Sequence, residues 1–501
     1  MSRGAAIAAE RRAGLLVPLF ALRGARERGI GEIGDLPAFC RWLAAAGHGL
    51  LQLLPIVEMS LGERSPYAAM SAFAIDPIYL SLDDAEHPVA VDDAIDYDGV
   101  RAAKRRALEA SFAAFVADDA TRSAAFQAFR ARAAHWLEDY ALFRACQERH
   151  GGRPWTEWDP PLREREPTAL AAARAALARE CLFHEYGQWL AAEQWSAARA
   201  AAEAVGVRLK GDLPFMVAAN SADVWARQDE FALDVTLGAP PDAFNAEGQD
   251  WGLPVCRWDV MARNGFAWLR ARAARAAELF GAFRIDHVVG FYRQYTIRAG
   301  GRRGFVPEDE GEQLALGERL LTALVEAAGP ARVIGEDLGV VPPFVRRSLT
   351  RLGIPGYRVL RWEDDAGVFR DPVRWPALSV ATTGTHDTSA LATWWEEELD
   401  PATRRAFAAV PVFAPLRDEG ATFTPAVHEA LLDGLYAAAS ALVVLPFPDA
   451  YGGRERINVP ATVGSANWSY RVPRALARLD APESVALGAR LRALAERHGR
   501  R

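Results

Sequence analysis

An arginine and an aspartate stand two residues apart at the end of an apolar run, in the segment Phe283-Arg284-Ile285-Asp286-His287. On a β-strand, residues i and i+2 face the same side, so Arg284 and Asp286 are predicted to point together. A guanidinium next to a carboxylate favours the ionised form, which a nucleophile requires. A structural ion pair at a strand end would have the same spacing, so this motif alone leaves both interpretations open.

Acidic residues also close three other apolar runs. Asp212 ends one run, Asp387 follows another beside His386, and the adjacent Glu336 and Asp337 end a third. Strand alternation allows only one of Glu336 and Asp337 to face inward, and the periodicity does not choose between them. Taken alone, Asp387 is more typical of a turn or a helix N-cap, and an acid at position 336 could also cap the following helix.

Eight short apolar runs that end in polar or glycine-containing loops are predicted to be strands. They are Leu15 to Phe20, Gly49 to Pro55, Val207 to Pro214, Ala282 to His287, Val333 to Gly339, Tyr357 to Trp362, Leu378 to Asp387, and Ala441 to Tyr451. Helical periodicity separates several of them, for example over Ala38 to Ala46 and Gly265 to Phe280. This alternation predicts an α/β fold, a (β/α)8 TIM barrel, in which catalytic groups gather at the C-terminal strand ends.

Two segments are too long for simple crossovers. Residues 82–206 repeat Ala, Glu, Arg and aromatic residues at helical spacing, notably in Ala124 to Glu148 and Ala169 to Ala204, which predicts a helical subdomain inserted after the second strand. Residues 216–257 carry proline and glycine turn signals and are predicted to form an inserted loop region over the active site. Residues 1–501 are otherwise predicted to be one catalytic barrel domain without a separate C-terminal β-sandwich.

The composition excludes several classes of protein. A net charge of -7 and a pI near 5.8 provide no general attraction for phosphate backbones, so nucleic acid is not an expected partner. The longest apolar stretch, about Leu435 to Phe447, is too short to span a membrane. The apolar segment Leu15 to Phe20 is likewise too short for the core of a signal peptide, so neither export nor membrane anchoring is indicated.

The cysteines and histidines argue against a disulfide framework and a metal site. Four widely spaced cysteines contain no CxxC pair, which favours free thiols in a reducing cytoplasm; they are Cys40, Cys146, Cys181 and Cys256. The strand-end residues His287 and His386 are candidate metal ligands, but neither belongs to an HxH or HExxH arrangement. Converging carboxylates instead favour glycosyl chemistry, in which one acid attacks an anomeric carbon and a protonated partner releases the leaving oxygen.

A series of short motifs occurs in one order along almost the entire chain. The motifs are Ser65-Pro66-Tyr67, Ser71-Ala72-Phe73-Ala74, Gly211-Asp212-Leu213-Pro214-Phe215, Ser221-Ala222-Asp223-Val224-Trp225, Gly248-Gln249-Asp250-Trp251-Gly252-Leu253-Pro254, Arg284-Ile285-Asp286-His287, Gly335-Glu336-Asp337-Leu338-Gly339, Gly384-Thr385-His386-Asp387, Ile457-Asn458 and Asn467-Trp468. The series resembles that of the amylomaltases, which are 4-α-glucanotransferases of the α-amylase superfamily. The ordered series is far more specific than any one motif.

The resemblance implies a role for each acid. Asp286 would be the nucleophile, Glu336 the general acid/base and Asp387 the transition-state stabiliser, while Asp337 would support its loop. The residues implied in substrate binding are Tyr67, Asp212, Trp251, Arg284, His287 and His386. Trp251 is the candidate for the acceptor site because an indole face can stack on a pyranose ring, although it could also be a packing residue like most tryptophans.

The implied reaction is a double displacement with retention, in which maltooligosaccharides and α-1,4-glucan serve as donor and acceptor. It predicts that the carboxyl groups of Asp286 and Glu336 lie about 5 to 5.5 Å apart. No organic cofactor and no metal are implied. Two alternatives are a retaining α-glucan hydrolase of the same superfamily and a noncatalytic glucan-binding protein, and the presence of all three carboxylates argues against the second.

Two departures from the family pattern lie close to these residues. Thr388-Ser389 follows Asp387 where many members carry an Asn-Asp pair, and Ala21-Leu22-Arg23 stands where many carry Thr-Ser-Leu-Pro. They leave the implied cleavage residues intact. They bear on the acceptor preference, the range of chain lengths and the ratio of transfer to hydrolysis.

Overall fold

Eight parallel strands form the central sheet of the molecule. They are β1 (Arg12–Leu16), β2 (Leu50–Gln52), β3 (Arg208–Leu213), β4 (Ala282–Ile285), β5 (Arg332–Gly335), β6 (Gly356–Val359), β7 (Ser379–Thr382) and β8 (Leu442–Pro446). Their hydrogen-bonded order is β6-β7-β8-β1-β2-β3-β4-β5, so each strand lies beside its neighbour in the chain. The computed structural model describes residues 10–83, 94–241, 248–298, 300–460, 462 and 464–500.

The sheet closes into a barrel where β5 and β6 meet. The Gly335 N–H donates to the Pro355 carbonyl oxygen at 2.9 Å. The Tyr357 N–H donates to the carboxylate of Asp337 at 2.6 Å, so a side chain supplies part of the closing contact. The predicted (β/α)8 TIM barrel is therefore confirmed.

The first and last strands end earlier than predicted, and in each case a proline lies close to the observed end. β1 begins at Arg12 and ends at Leu16, and the chain then reaches Pro18, which has no N–H to donate to a ladder. The last predicted run divides into β8 and a helix over Phe447–Tyr451. Its second residue, Pro448, suits the first turn of a helix, where the missing N–H breaks no hydrogen bond.

Alternation along the strands separates an apolar outer face from a lumen that also holds polar side chains. The register pairs Leu15 with Leu51 and Leu51 with Leu209, and all three leucines are buried in an apolar cluster shared with the surrounding helices. The next residues along two of these strands, Gln52 and Lys210, pair with each other and face the opposite side. The outer leucines therefore pack against the helices, while Gln52 and Lys210 place polar groups in the lumen.

Helices occupy much of the chain between β2 and β3. They span Tyr97–Ala117, Ala124–Arg149, Pro160–Arg163, Pro167–Ala176 and Ala178–Ala204. The predicted helical run over Ala169 to Ala204 is two helices that meet at Leu177, whose φ of -114° is not helical. Residues 84–93 of the predicted subdomain lie outside the described residues.

The remaining helices mostly follow barrel strands. They span Leu36–Ala45, Ala222–Ala226, Trp258–Arg263, Ala267–Leu279, Glu310–Ala327, Pro343–Leu352, Leu391–Thr393, Pro401–Ala408, Pro425–Tyr436, Arg474–Ala477 and Pro482–Arg497. The helices predicted over Ala38 to Ala46 and Gly265 to Phe280 are present with ends shifted by one or two residues. Across the described ranges, no helix is long and apolar enough to cross a bilayer.

A four-stranded antiparallel sheet replaces much of the predicted loop region over residues 216–257. Its strands, in order, are Gln249–Cys256, Phe231–Ala239, Gln294–Arg298 and Arg303–Val306. The prediction of a loop is therefore wrong for the two strands inside that region. Irregular register hides the strand pattern in the sequence, and half of the sheet comes from residues that follow β4. Residues 242–247 lie outside the described residues.

We expect Gly14→Ala to destabilise the barrel. Gly14 pairs with Leu50 between β1 and β2, and a Cβ at this position would overlap the Leu50 backbone oxygen. The strands would have to separate, which typically costs about 1 to 3 kcal/mol. Thermal unfolding of Gly420→Ala provides the control, because a Cβ there meets open space. Equal melting temperatures for the two variants would contradict the clash.

Candidate active site

A cavity of about 630 Å³ lies at the C-terminal ends of the barrel strands. Seven of the predicted site residues line it, namely Tyr67, Trp251, Arg284, Asp286, His287, Glu336 and Asp387. The other two lie against Tyr67, whose hydroxyl donates to Asp212 at 2.7 Å and whose ring stacks on that of His386 with centroids 5.3 Å apart. The fold thus brings all nine predicted residues together from six different segments of the chain.

Arg284 joins the acids of the site. The strand register places it beside Asp212, and one guanidinium nitrogen donates to the Asp212 carboxylate. The other terminal nitrogen donates to Asp286 at 2.6 Å and lies 3.9 Å from Glu336. Three acids from β3, from the end of β4 and from the loop after β5 therefore share one buried cation. Their negative charges hold the pKa of Arg284 well above its usual range, despite its burial.

The electrostatic balance at Asp286 differs from the sequence-based expectation. Arg284 does lower the pKa of this carboxyl, but burial outweighs it, and Asp212, Glu336 and Asp387 add like charge. The result is a pKa raised to about 7. The ion pair predicted from the sequence is present, yet it does not by itself keep Asp286 fully ionised at neutral pH.

Glu336 and Asp337 point to opposite sides. Glu336 lines the cavity, and its two oxygens accept the backbone N–H groups of His287 at 2.8 Å and Leu338 at 3.1 Å. Asp337 is buried away from the cavity, where it accepts the Tyr357 N–H. Burial raises the pKa of Glu336, although Arg284 and the two N–H donors oppose that shift.

One nitrogen of Arg284 also limits how far apart two of the carboxylates can lie. Its contacts of 2.6 Å to Asp286 and 3.9 Å to Glu336 place the two oxygens no more than about 6.5 Å apart. Retaining glycosidases place the two carboxyl groups about 5 to 5.5 Å apart, and inverting enzymes about 6.5 to 9.5 Å. The geometry is compatible with the predicted shorter spacing.

Local strain orients the loop that follows Asp286. His287 has a φ of 46°, in the left-handed region that residues other than glycine seldom adopt. This turn aims its N–H at Glu336 and its ring at Trp251, whose centroid lies 4.9 Å away at 89°. Burial lowers the pKa of His287 to about 4, so the imidazole is neutral at physiological pH. Trp251 is itself oriented by a 3.1 Å hydrogen bond from its indole N–H to Gln249.

Asp387 is held by a residue that the sequence reasoning did not assign to the site. The Asn458 side-chain amide donates to one oxygen of Asp387 at 2.6 Å, and His386 lies 3.3 Å from the other oxygen. Asn458 stood within one of the ordered motifs, but a single asparagine carries no signal of its role. In the described part of the chain, no three His, Cys, Asp or Glu side chains group in a way that could hold a metal ion.

Three carboxylates and a buried arginine at the C-terminal mouth of a (β/α)8 barrel define an enzyme site suited to glycosyl chemistry. Comparison with known proteins narrows this class. The 4-alpha-glucanotransferase family model matches residues 17–477. A 4-alpha-glucanotransferase of Thermus thermophilus is 39% identical over 496 residues, covering 93% of this chain and 95% of that protein. The chain belongs to the 4-alpha-glucanotransferase family.

Solved structures agree with this assignment. The amylomaltase of Streptococcus agalactiae, in complex with acarbose, is 27% identical with a TM-score of 0.84, covering 98% of this chain and 100% of that one. The amylomaltase of Corynebacterium glutamicum, at 23% identity and a TM-score of 0.80, shares the fold over 99% of this chain and 76% of its own. The chain is a transglycosylating enzyme of a family that acts on α-1,4-glucans.

We expect Arg284→Met to destabilise the protein increasingly as the pH rises. Removing one partner of a buried ion pair typically costs about 3 to 5 kcal/mol. Without Arg284 the pKa of Asp286 would rise further above about 7, so the folded variant would still hold a proton that the unfolded chain has lost. Its stability would therefore keep falling above about pH 7, where that of the wild type levels off.

Thermal unfolding at about pH 6 and about pH 8.5 measures this difference. Arg270→Met is the control, because it removes an exposed ion pair with Glu326 that typically contributes about 1 kcal/mol or less. A deficit of Arg284→Met that is equal at the two pH values would contradict the predicted coupling.

Proposed function

We propose that this enzyme transfers α-1,4-glucan segments between maltooligosaccharides by double displacement with retention. Asp286 is the nucleophile, Glu336 the general acid/base and Asp387 the transition-state stabiliser. The observation that supports this proposal is the contact of one Arg284 nitrogen with both Asp286 and Glu336, which limits their oxygens to a separation of about 6.5 Å and is compatible with the spacing of retaining enzymes.

In the first step, protonated Glu336 gives its proton to the glycosidic oxygen while an Asp286 oxygen attacks the anomeric carbon. The bond from that carbon to the glycosidic oxygen breaks, and the shortened glucan leaves with a new hydroxyl group. In the second step, ionised Glu336 removes the proton of an acceptor 4-hydroxyl, which attacks the same carbon. The ester to Asp286 breaks, and the enzyme returns to its starting state.

The charges around the pair support this division of roles. Both carboxyls have raised pKa values, so the pair tends to hold a proton near neutral pH. Arg284 donates directly to Asp286 at 2.6 Å but lies 3.9 Å from Glu336, so it favours negative charge on Asp286. The shared proton then belongs on Glu336, where the first step uses it.

Asp212, Tyr67 and His386 are proposed to hold the sugar whose bond is cleaved. One Asp212 oxygen binds Tyr67 and Arg284, while the other is buried without a hydrogen-bond partner among the described residues. A buried acceptor of this kind is costly unless a donor reaches it, and a sugar hydroxyl is a suitable donor. Burial lowers the pKa of His386, so its neutral ring can also bind a hydroxyl.

We propose that the segment 216–257 covers the mouth and shields the glycosyl-enzyme from water. It contributes Met216, Gln249, Trp251 and Leu253 to the cavity wall. Trp251 touches His287 edge to face, which leaves indole surface for an acceptor sugar to stack on. An acceptor held in this way competes with water for the intermediate. The helical region 82–206 is proposed to be a subdomain inserted in the single barrel domain.

Membership of the family supports the proposed donors and acceptors. The related amylomaltase of Streptococcus agalactiae has been solved with acarbose, an oligosaccharide analogue, which supports maltooligosaccharides as ligands here. We place the enzyme in the cytoplasm, because all four of its cysteines are free thiols and such thiols persist in a reducing compartment.

We expect Glu336→Gln to lower turnover on maltooligosaccharides by about 10²- to 10⁴-fold, with oligosaccharide binding retained. A maltosyl fluoride donor needs no proton to leave, so it should still form the glycosyl-enzyme, and azide, which needs no base, should accept the sugar. Asp286→Asn should be inactive with both donors. Asp337→Asn is the neighbouring control and should keep turnover within about tenfold, since that acid lies outside the cavity. Near-normal turnover of Glu336→Gln would remove Glu336 from its role.

Incubation with maltotriose tests transfer against hydrolysis. The wild type should release glucose and form a ladder of longer products, whereas a retaining hydrolase would form none. Trp251→Ala should lower the ratio of transfer to hydrolysis by roughly three- to tenfold, because one aromatic stacking contact is lost. Trp251→Phe keeps an aromatic face and should retain most of the ratio. An unchanged ratio in Trp251→Ala would exclude Trp251 from the acceptor site.

A further inference from the structure

A buried lysine lies in the barrel lumen directly beneath the acids. Lys210 precedes Asp212 by two residues on β3, so the two side chains share the inward face. Register places Asp212 beside Arg284, and Lys210 one step deeper, beside Gln52 of β2. Lys210 is one of only two lysines among the 58 basic residues of the chain, and it has no role in the double displacement.

The Lys210 amine spans the barrel. It donates to the Gln52 side-chain oxygen at 2.7 Å and to the hydroxyl of Tyr357, on β6, at 2.7 Å. Within the described residues, no carboxylate lies within 4.0 Å of this nitrogen, and the side chain is fully buried. A buried ammonium with only neutral partners is unfavourable, so a lysine placed here readily loses its proton.

The charged groups that face Lys210 are Arg284 and Asp212, which form the layer of side chains above it in the lumen. Burial is the main reason that its pKa is lowered to about 7; the positive charge of Arg284 lowers it further, and the negative charge of Asp212 opposes this. Gln52 adds no charge. The Tyr357 hydroxyl, which accepts a hydrogen bond from the amine, lies in the field of Arg284, Asp212 and Glu336. Burial raises the pKa of Tyr357, so the hydroxyl stays neutral. The proton on Lys210 is therefore linked to the layer proposed to bind the sugar.

We propose that Lys210 is a positioning residue of the sugar-binding layer. It ties β2, β3 and β6 together beneath Asp212 and Arg284, and it exchanges a proton with solvent as the charge of that layer changes. The inference rests on the proposed role of Asp212 and Arg284 in holding the sugar. By linkage, a group that stabilises the charged Asp212 is itself stabilised by it. Lys210 then affects substrate binding more than the covalent steps at Asp286.

The two lysines of the chain make this proton directly observable. Protein labelled with ¹³C at the lysine ε-carbons should give two signals, and Lys210→Met identifies the one from Lys210. We expect that signal to titrate near pH 7, in line with the pKa of its amine. Asp212→Asn should move the midpoint to lower pH, and Tyr357→Phe, which removes a hydrogen bond but no charge, should also lower it. A Lys210 signal that stays fully protonated to about pH 10 would overturn the proposal.

Kinetics supply the second measurement. Lys210→Met should raise KM for maltotriose by roughly three- to tenfold with kcat within about twofold, and should flatten the pH dependence of KM near neutrality. Lys210→Arg, which keeps a charge, should restore part of the affinity. If Lys210 only fills the lumen, Lys210→Met would lower the melting temperature and leave the pH dependence of KM unchanged. If Lys210→Met does not fold, the signal that shifts in Tyr357→Phe is assigned to Lys210, and its titration still decides.

The two proposals fail in different ways. The lysine signal is read without turnover, so a missing titration overturns the role of Lys210 and leaves Asp286 and Glu336 in place. Activity of Asp286→Asn with a maltosyl fluoride would instead remove the double displacement, whatever Lys210 does.

Discussion

The burial of Arg284 among acids is the constraint on which the rest of the site depends. A guanidinium out of water is stable only when carboxylates surround it, and carboxylates so close together need the guanidinium in turn. Asp212 comes from β3, Asp286 from the end of β4 and Glu336 from the loop after β5. Adjacent parallel strands that end at the same level meet this requirement here, so the ion cluster depends on the barrel register.

The cluster is not electrically balanced, and its chemistry depends on that imbalance. Arg284 bridges Asp212, Asp286 and Glu336, and Asp387 adds a further negative charge nearby, so burial and like charge raise the pKa values of both Asp286 and Glu336. A pair in this condition keeps a proton that either exposed acid would lose at neutral pH. The apolar outer face of the barrel provides the stability that such a site does not, through leucines packed under the helices.

Particular residues show how far the sequence could lead. Alternating strand and helix patterns predicted the barrel, and the ordered motifs contained all nine residues that the fold brings to one cavity or directly beside it. Asn458 was not predicted as a site residue, because its contact with Asp387 joins segments that are distant in the chain. The antiparallel sheet, which contributes residues to the cavity wall, was also not predicted, because half of its strands follow β4 and its register is irregular.

The sequence by itself determined the fold class, the family and the types of residue that converge, because periodicity and ordered motifs are local patterns. Strand alternation permits either Glu336 or Asp337 to face the cavity, and the family resemblance favoured Glu336. Only the tertiary structure gave the physical reason, which is that Asp337 makes the closing contact with Tyr357. It also reversed the expected charge balance at Asp286. Burial and the charges of remote residues set a pKa, and both exist only once the chain has folded.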